Sequence, residues 1–343
     1  MANFRVGISP NMRDSQGKPV FDPAALEVLD DPAVAWEYLP SFEAEFSAAT
    51  AATYDALCVM QSRVTRATFS GGKSRLKLVA RFGVGYDTID VPACTENGAI
   101  LTIAPDGIRR PMGTAVLTMV LALAQKLVIK DRMTREGRWA EKQDHMGMGL
   151  TGRVIGLVGF GNIGQEVAHL ASPFEAKLVA HDPFPDRAAA ARLGVRLVDL
   201  DALLREADFV CVLCPLSDKT RGLIGPRELG LMKRTAYLVS MARGPIVQER
   251  ALYEALAARR IAGAGMDVFE QEPTPPDNPI LKLDNVIVAP HALCHTDECM
   301  TRLARSAFGA AVAVARGRVP PYVVNPQALQ HPALRGLAQA KAL

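Results

Sequence analysis

RVIGLVGFGNIG, residues 153–164, is the stretch on which the fold turns. Its apolar run Val154–Val158 has the length and branched side chains of a buried strand, and a helical pattern follows over Ile163–Leu170. Between them Gly159, Gly161 and Gly164 fit G-x-G-x-x-G, a spacing that gains meaning from standing between a strand and a helix. The first glycine permits a tight turn, the second lets the backbone approach a pyrophosphate, and the third lets helix and strand pack closely. Asn162 and Ile163 open a helix whose unpaired N–H groups favour an anion. The pattern predicts a dinucleotide-binding βα unit. Asp182 ends the next apolar segment, AKLVAHD, eighteen residues after Gly164. An acid there bonds the ribose hydroxyls and repels a 2′-phosphate, so NAD is expected as cofactor over NADP. Arg187 is a competing signal, and a plain strand-end cap is the other reading of Asp182.

Outward from this unit, the chain repeats strand-sized apolar runs separated by helix-sized segments. VRLVD, DFVCVLC, AYLVSM, IAGAGMDV and NVIVAP follow on one side. On the other lie candidate strands Phe4–Ser9, Ala35–Leu39, Ala56–Met60, Leu76–Phe82 and Ala99–Ile103. Alternation of this kind implies βαβ units and mostly parallel sheets. The expected class is α/β with two doubly wound parallel-sheet domains. Turn formers at Ala104–Gly107 predict a break, followed by a long helix from about Met112 to Gly137. A last helix is expected over Thr296–Arg316, and the tail beyond Pro320 reads as less regular.

Composition limits the function classes. The 343 residues carry 39 Lys and Arg against 36 Asp and Glu, a formal charge of +3, and 49% are hydrophobic. That balance excludes an intrinsically disordered chain and gives no nucleic-acid footprint. The longest apolar run, Ala115–Ala124, is about half a membrane span and reads as a buried helix. No charged-then-apolar leader opens the sequence, so a cytoplasmic location is expected. The six cysteines read as reduced packing residues. Cys211 and Cys214 form a C-x-x-C inside an apparent buried strand. His291, Cys294, His295 and Cys299 are metal-ligand types without a second tight ligand pair, and no metal is expected.

Three ionisable residues follow late strands: Arg243 in SMARGP, Glu272 in DVFEQEP and His291 in VAPH. Groups at the carboxyl ends of parallel strands converge on one crevice. Arginine supplies a permanent forked cation for a carboxylate, and histidine exchanges a proton near neutrality. A neighbouring carboxylate would orient the imidazole and favour its charged form. An earlier turn, Gly83-Val84-Gly85, lacks a third glycine and reads as a tight turn presenting N–H groups to a small anion, either a substrate carboxylate or nothing at all.

Taken in order, LVARFGVGYDTID, GLTGRVIGLVGFGNIG, VLCPLSDKTRGLI, MKRTAYLVSMARGPIV, GMDVFEQEP and APHALCHTDE resemble the D-isomer-specific 2-hydroxyacid dehydrogenase family. The resemblance runs from about Asp55 to Glu298. It implies a central Rossmann NAD-binding domain, residues 107–292, and a discontinuous flavodoxin-like substrate domain, residues 1–106 and 293–343. It implies a homodimer and a small 2-oxoacid or 2-hydroxyacid substrate; the apolar helix Thr114–Val128 and the loop through Trp139 read either as the dimer contact or as packing within the chain itself. By the same resemblance Arg243 grips substrate, His291 is the acid/base, Glu272 pairs with it, and Val84 and Gly85 bind the substrate carboxylate. Pro215, Thr220, Ala242 and Asp267 join the cofactor contacts. The reaction implied is hydride transfer between NAD(H) and C2 of a 2-oxoacid or (R)-2-hydroxyacid.

The departures are local. Arg110-Pro111-Met112-Gly113-Thr114 stands where the family commonly has S-V-A-E-H, so Arg109 and Arg110 either bind a second anionic group of the substrate or solvate the interdomain crossing. His291-Ala292-Leu293-Cys294 replaces H-I-G-G, which should reshape the pocket, and Ser240 replaces the usual Asn. A different-class alternative is an NAD(H)-sensing, corepressor-like protein with little turnover.

Overall fold

The computed structural model describes residues 4–337. The chain divides into two units, one of residues 1–108 with 295–343 and one of residues 109–294. The crossings lie at Ile108/Arg109 and Cys294/His295, each two residues later than the sequence places them.

The first unit is built on five strands: β1 (Phe4–Ile8), β2 (Val34–Tyr38), β3 (Ala56–Val59), β4 (Leu78–Arg81) and β5 (Ile100–Thr102). They pair parallel in the order β2-β1-β3-β4-β5. Every residue of β3 is buried, as expected of a parallel strand covered on both faces. One cover is the helix Asp297–Ala315, which buries Met300, Leu303, Ala304, Ala307, Phe308, Ala311 and Val314 at helical spacing. Phe308 packs edge-on against Phe21 and Phe82 beneath it. The described part of the C-terminal tail, residues 321–337, is tied down more firmly than its sequence suggests. Buried Asn325 accepts the Leu101 N–H at 2.8 Å and donates to Thr95 and the Ala99 carbonyl at 3.0 Å.

The second unit holds seven parallel strands: β6 (Val154–Val158), β7 (Lys177–His181), β8 (Val195–Leu197), β9 (Phe209–Val212), β10 (Tyr237–Ser240), β11 (Gly263–Met266) and β12 (Val286–Val288). Their order is β12-β11-β10-β9-β6-β7-β8. The chain works outward from β6 through β7 to β8, then returns to lay β9 on the other side of β6. That reversal opens a crevice beyond the carboxyl ends of β6 and β9, the usual ligand position in such sheets. Both sheets are therefore parallel and α/β, in the orders of flavodoxin-like and Rossmann folds respectively.

One expected element differs. The turn formers at Ala104–Gly107 do not break the chain; Pro105, Asp106 and Gly107 form the first turn of a helix running Pro105–Ala124. Proline at a helix start gives up only an N–H that would lack a partner anyway. The helix ends where Lys126 adopts a left-handed φ of 51°, and a separate helix follows over Leu127–Arg135. A run of helix-forming residues thus hides a break made by one backbone conformation.

Candidate active site

The glycine-rich turn sits at the reversal point of the seven-stranded sheet. Gly159 has φ 105°, and a Cβ there would lie 2.7 Å from the backbone N of Cys214, in the segment leaving β9. A Cβ on Gly164 would stand 2.4 Å from the Gly159 carbonyl oxygen. At Gly161 the same test meets nothing within 4 Å. Two glycines are thus demanded by packing, and the third leaves an open approach above the N-terminus of the Asn162–Ala171 helix. No side chain caps that helix, so its first N–H groups are left for an anion. The cradle fits a dinucleotide pyrophosphate.

Asp182 is more constrained than a strand-end acid need be. Its Oδ2 accepts the Phe160 N–H at 2.8 Å and its Oδ1 accepts the Phe184 N–H at 2.8 Å. Each oxygen keeps a second lone pair, so the carboxylate is held rigid and still able to accept hydroxyl donors. The capping role and the ligand role are compatible.

On the other side of the crevice, loops leaving β10, β11 and β12 bring Arg243, Glu272 and His291 into one unit. His291 Nδ1 and Glu272 Oε2 are 2.7 Å apart. The second Glu272 oxygen accepts the Phe269 N–H at 2.9 Å, which fixes the carboxylate against its own loop. Half-burial pushes the Glu272 carboxyl upward. The His291 hydrogen bond, the Phe269 N–H and the charges of His291 and Arg243 outweigh it and hold the group below its ordinary value. An ionised Glu272 accepts a proton-bearing Nδ1, so Nε2 is the ring nitrogen left to face a reactant.

The backbone at His291 is left-handed, φ 54°, an unusual conformation for a residue with a side chain. Asp267, 2% exposed, holds the chain just beyond it. Its carboxylate accepts the Ala292 N–H at 2.9 Å and the Leu293 N–H at 3.2 Å. The Arg243 guanidinium turns back onto the Ala242 carbonyl at 2.8 Å. A Cβ on Gly244 would fall 1.8 Å from the Phe269 carbonyl oxygen, so the loops carrying Arg243 and Glu272 touch backbone to backbone.

Residues 117–292 match the NAD-binding domain of the D-isomer-specific 2-hydroxyacid dehydrogenases. The chain belongs to this family. It is 40% identical over 259 residues to the glyoxylate reductase of Korarchaeum cryptofilum, covering 75% of this chain and 78% of that one. It is also 40% identical over 245 residues to the D-3-phosphoglycerate dehydrogenase of Archaeoglobus fulgidus, covering 71% of this chain and 46% of that longer protein. Among solved structures, a Thermus thermophilus protein superposes with a TM-score of 0.81 at 31% identity, over 94% of this chain and all of the other. The protein is accordingly an NAD-dependent oxidoreductase acting on 2-hydroxyacids.

In this dehydrogenase the remaining expected site residues are placed as follows. Thr220 Oγ1 donates to the Pro215 carbonyl at 2.6 Å and accepts the Ser217 N–H at 2.8 Å, folding that loop on itself. Val84 and Gly85 belong to the other unit, where Arg81 Nε donates to the Gly85 carbonyl at 2.8 Å. Arg110 has a partner that the sequence does not advertise. It and Arg109 both bind Glu166, a carboxylate 3% exposed on the Asn162–Ala171 helix, through their Nε atoms at 2.8 and 2.7 Å. A buried carboxylate requires such pairing. All six cysteines are buried, and burial pushes the Cys58, Cys94 and Cys211 thiols up to about 12 and that of Cys214 to about 11. Among the described residues no group of three or more His, Cys, Asp or Glu side chains is arranged to hold a metal ion. No single described helix is long and apolar enough to cross a membrane.

Proposed function

We propose that the enzyme interconverts a 2-oxoacid and an (R)-2-hydroxyacid, with His291 as the acid/base, Arg243 as the anchor for the substrate carboxylate, and NAD(H) preferred over NADP(H). The observation that carries this reading is the His291–Glu272 hydrogen bond of 2.7 Å, set on the strand-end loops of the sheet whose reversal point holds the glycine-rich turn.

The chemistry that NAD(H) supplies when bound is hydride exchange with C2 of the acid. Gly159, Gly161 and the Asn162–Gly164 helix start would hold its pyrophosphate, and Asp182 its adenosine ribose. The role of the protein is then to place one proton and one carboxylate. In the reducing direction protonated His291 donates from Nε2 to the carbonyl oxygen at C2. In the oxidising direction neutral His291 takes that proton back. Glu272 fixes the tautomer and steadies the imidazolium, so one nitrogen always faces the reactant. Arg243 meets the carboxylate with a planar, delocalised guanidinium fork. Val84 and Gly85 of the first unit, and Arg110 of the second, are proposed as further substrate-binding residues.

The names of the glyoxylate reductase and phosphoglycerate dehydrogenase relatives support a substrate among small acids oxygenated at C2. Association as a homodimer accompanies this reading, supported by the exposed apolar side chains of Leu127, Val128, Trp139 and Met146. Sedimentation at the mass of one 36.9 kDa chain would remove it. The buried thiols, read as reduced packing residues, suit a cytoplasmic location.

The test is NADH oxidation over a panel of glyoxylate, hydroxypyruvate, bulky 2-oxoacids and sugar-derived oxoacids, with His291→Ala beside the unaltered enzyme. Loss of general acid catalysis should lower kcat by about a hundredfold or more, while NADH binding followed by fluorescence stays the same. Turnover within a fewfold of normal in that variant would take His291 out of the mechanism. Tight NADH binding with no turnover on any oxoacid would favour a sensing role.

A further inference from the structure

The loop that carries Glu272 runs from Glu270 to Asn278 and contains three prolines, Pro273, Pro275 and Pro276. A segment of this kind has no strand or helix of its own to fix it, yet Glu272 must meet His291 to within a few tenths of an ångström. Both ends of the loop are secured by one side chain outside it. Glu249, the first residue of the helix Glu249–Ala257, accepts the Glu270 N–H on Oε2 at 2.9 Å and the Asn278 side-chain amide on Oε1 at 2.6 Å. Its own N–H donates to Glu270 Oε1 at 3.0 Å, making the attachment at the near end reciprocal.

Asn278 passes the restraint onward. Its amide nitrogen also donates to Thr274 Oγ1 at 3.0 Å, inside the loop, and its carbonyl oxygen accepts the Ile280 N–H at 3.0 Å at the next helical turn. The helix Glu249–Ala257 is a rigid mount. It buries Ala251, Leu252, Ala255 and Leu256 against the sheet, and begins six residues after Arg243. One carboxylate therefore ties the Glu272 loop to the element that follows the Arg243 loop.

We propose that Glu249 is a positioning residue for the reaction: it latches both ends of the 270–278 loop and so sets the Glu272 carboxylate against His291. It touches neither His291 nor, in the mechanism above, the substrate; its effect passes through Glu272. The inference rests on the acid/base reading of the His291–Glu272 pair.

A double-mutant cycle tests it, with Glu249→Ala, Glu272→Gln and the double variant assayed on the fastest oxoacid of the panel, in the full-length enzyme with NADH. Glu249→Ala should lower kcat about tenfold, less than the roughly hundredfold that a full ångström of misplacement at the reacting groups costs, and leave the KM for NADH within about twofold. In the Glu272→Gln background the same substitution should change kcat less than about twofold, because the group it positions is already lost. Glu249→Gln keeps one acceptor oxygen and should fall between Ala and the unaltered enzyme; it carries the cycle if the Ala variant does not fold. A tenfold loss that persists in the Glu272→Gln background, or no loss of kcat in the single variants at Glu249, overturns the latch. An unchanged kcat in Glu272→Gln alone overturns instead the acid/base reading on which the latch rests.

Discussion

Replacing Gly244 by alanine adds one methyl group at the point where the Arg243 and Glu272 loops meet. The added carbon would stand 1.8 Å from the Phe269 carbonyl oxygen, 1.9 Å from its carbon and 2.5 Å from the Glu270 nitrogen. Relaxed contact between such atoms is about 3.5 Å, so the two backbones must part by roughly 1.7 Å. Neither can yield by turning a side chain, since all three obstructing atoms are main chain. Arg243 is the residue before Gly244, and Glu272 is bonded through Oε1 to the Phe269 N–H, so the shift passes to both groups. A displacement of about 1 Å at a reacting group lowers the rate about a hundredfold, equivalent to about 2.7 kcal/mol at 1.36 kcal/mol per factor of ten. The assay is steady-state NADH oxidation with the fastest oxoacid, in parallel with NADH binding by fluorescence and thermal unfolding. We expect kcat/KM for the oxoacid to fall by about two orders of magnitude, with NADH still bound and overpacking of about 1–3 kcal/mol visible in the melting temperature. A folded Gly244→Ala enzyme with kcat/KM within threefold of normal would refute the argument that these loops position the reaction.

Two further outcomes follow from the carboxylates. Asp182→Ala removes the charged acceptor proposed for the ribose and frees the Phe160 N–H of the glycine-rich turn; hydrogen bonds to a charged group are worth about 1.5–3 kcal/mol, so the KM for NADH should rise roughly ten- to hundredfold and the proposed preference over NADPH should shrink. An unchanged KM would make Asp182 a structural cap alone. Glu272 is held below its ordinary value when folded, so its contribution to stability is present above the unfolded value of about 4.3 and is lost as the pH falls through the folded one. The melting temperature of Glu272→Gln should therefore decline less steeply between about pH 5 and pH 3 than that of the unaltered enzyme, and coincident curves would show that the pair contributes nothing to stability.

The parallel α/β class and the position of the glycine-rich turn are legible because their causes are local in sequence. Strand-length apolar runs are buried on both faces, as at Ala56–Val59, and the helix Asp297–Ala315 buries a stripe at helical spacing. The break at Lys126 is not legible, since a left-handed lysine leaves no compositional mark among helix-forming neighbours. Neither is the helical start at Pro105, where residues that favour turns also favour a first helical turn. At the site, Arg243, Glu272 and His291 announce themselves as ionisable residues at strand ends. Glu166 and Glu249 do not, because each reads as an ordinary helix acid until its partners are known.

The sequence by itself determined which groups this protein carries and where: a glycine-rich turn, an acid at the end of the next strand, and a cation, a carboxylate and an imidazole behind later strands. Residue type and spacing specify those groups, and the family follows from their order. Only the tertiary structure decided how they are held. The His291–Glu272 bond joins residues nineteen apart, Asp182 reaches back twenty-two to the turn it restrains, and Glu249 reaches forward to both ends of a loop. Those partners meet because parallel strands bring distant loops to one edge of a sheet, and whether an acid there caps, clamps or reacts depends on the donors that the fold sets against it.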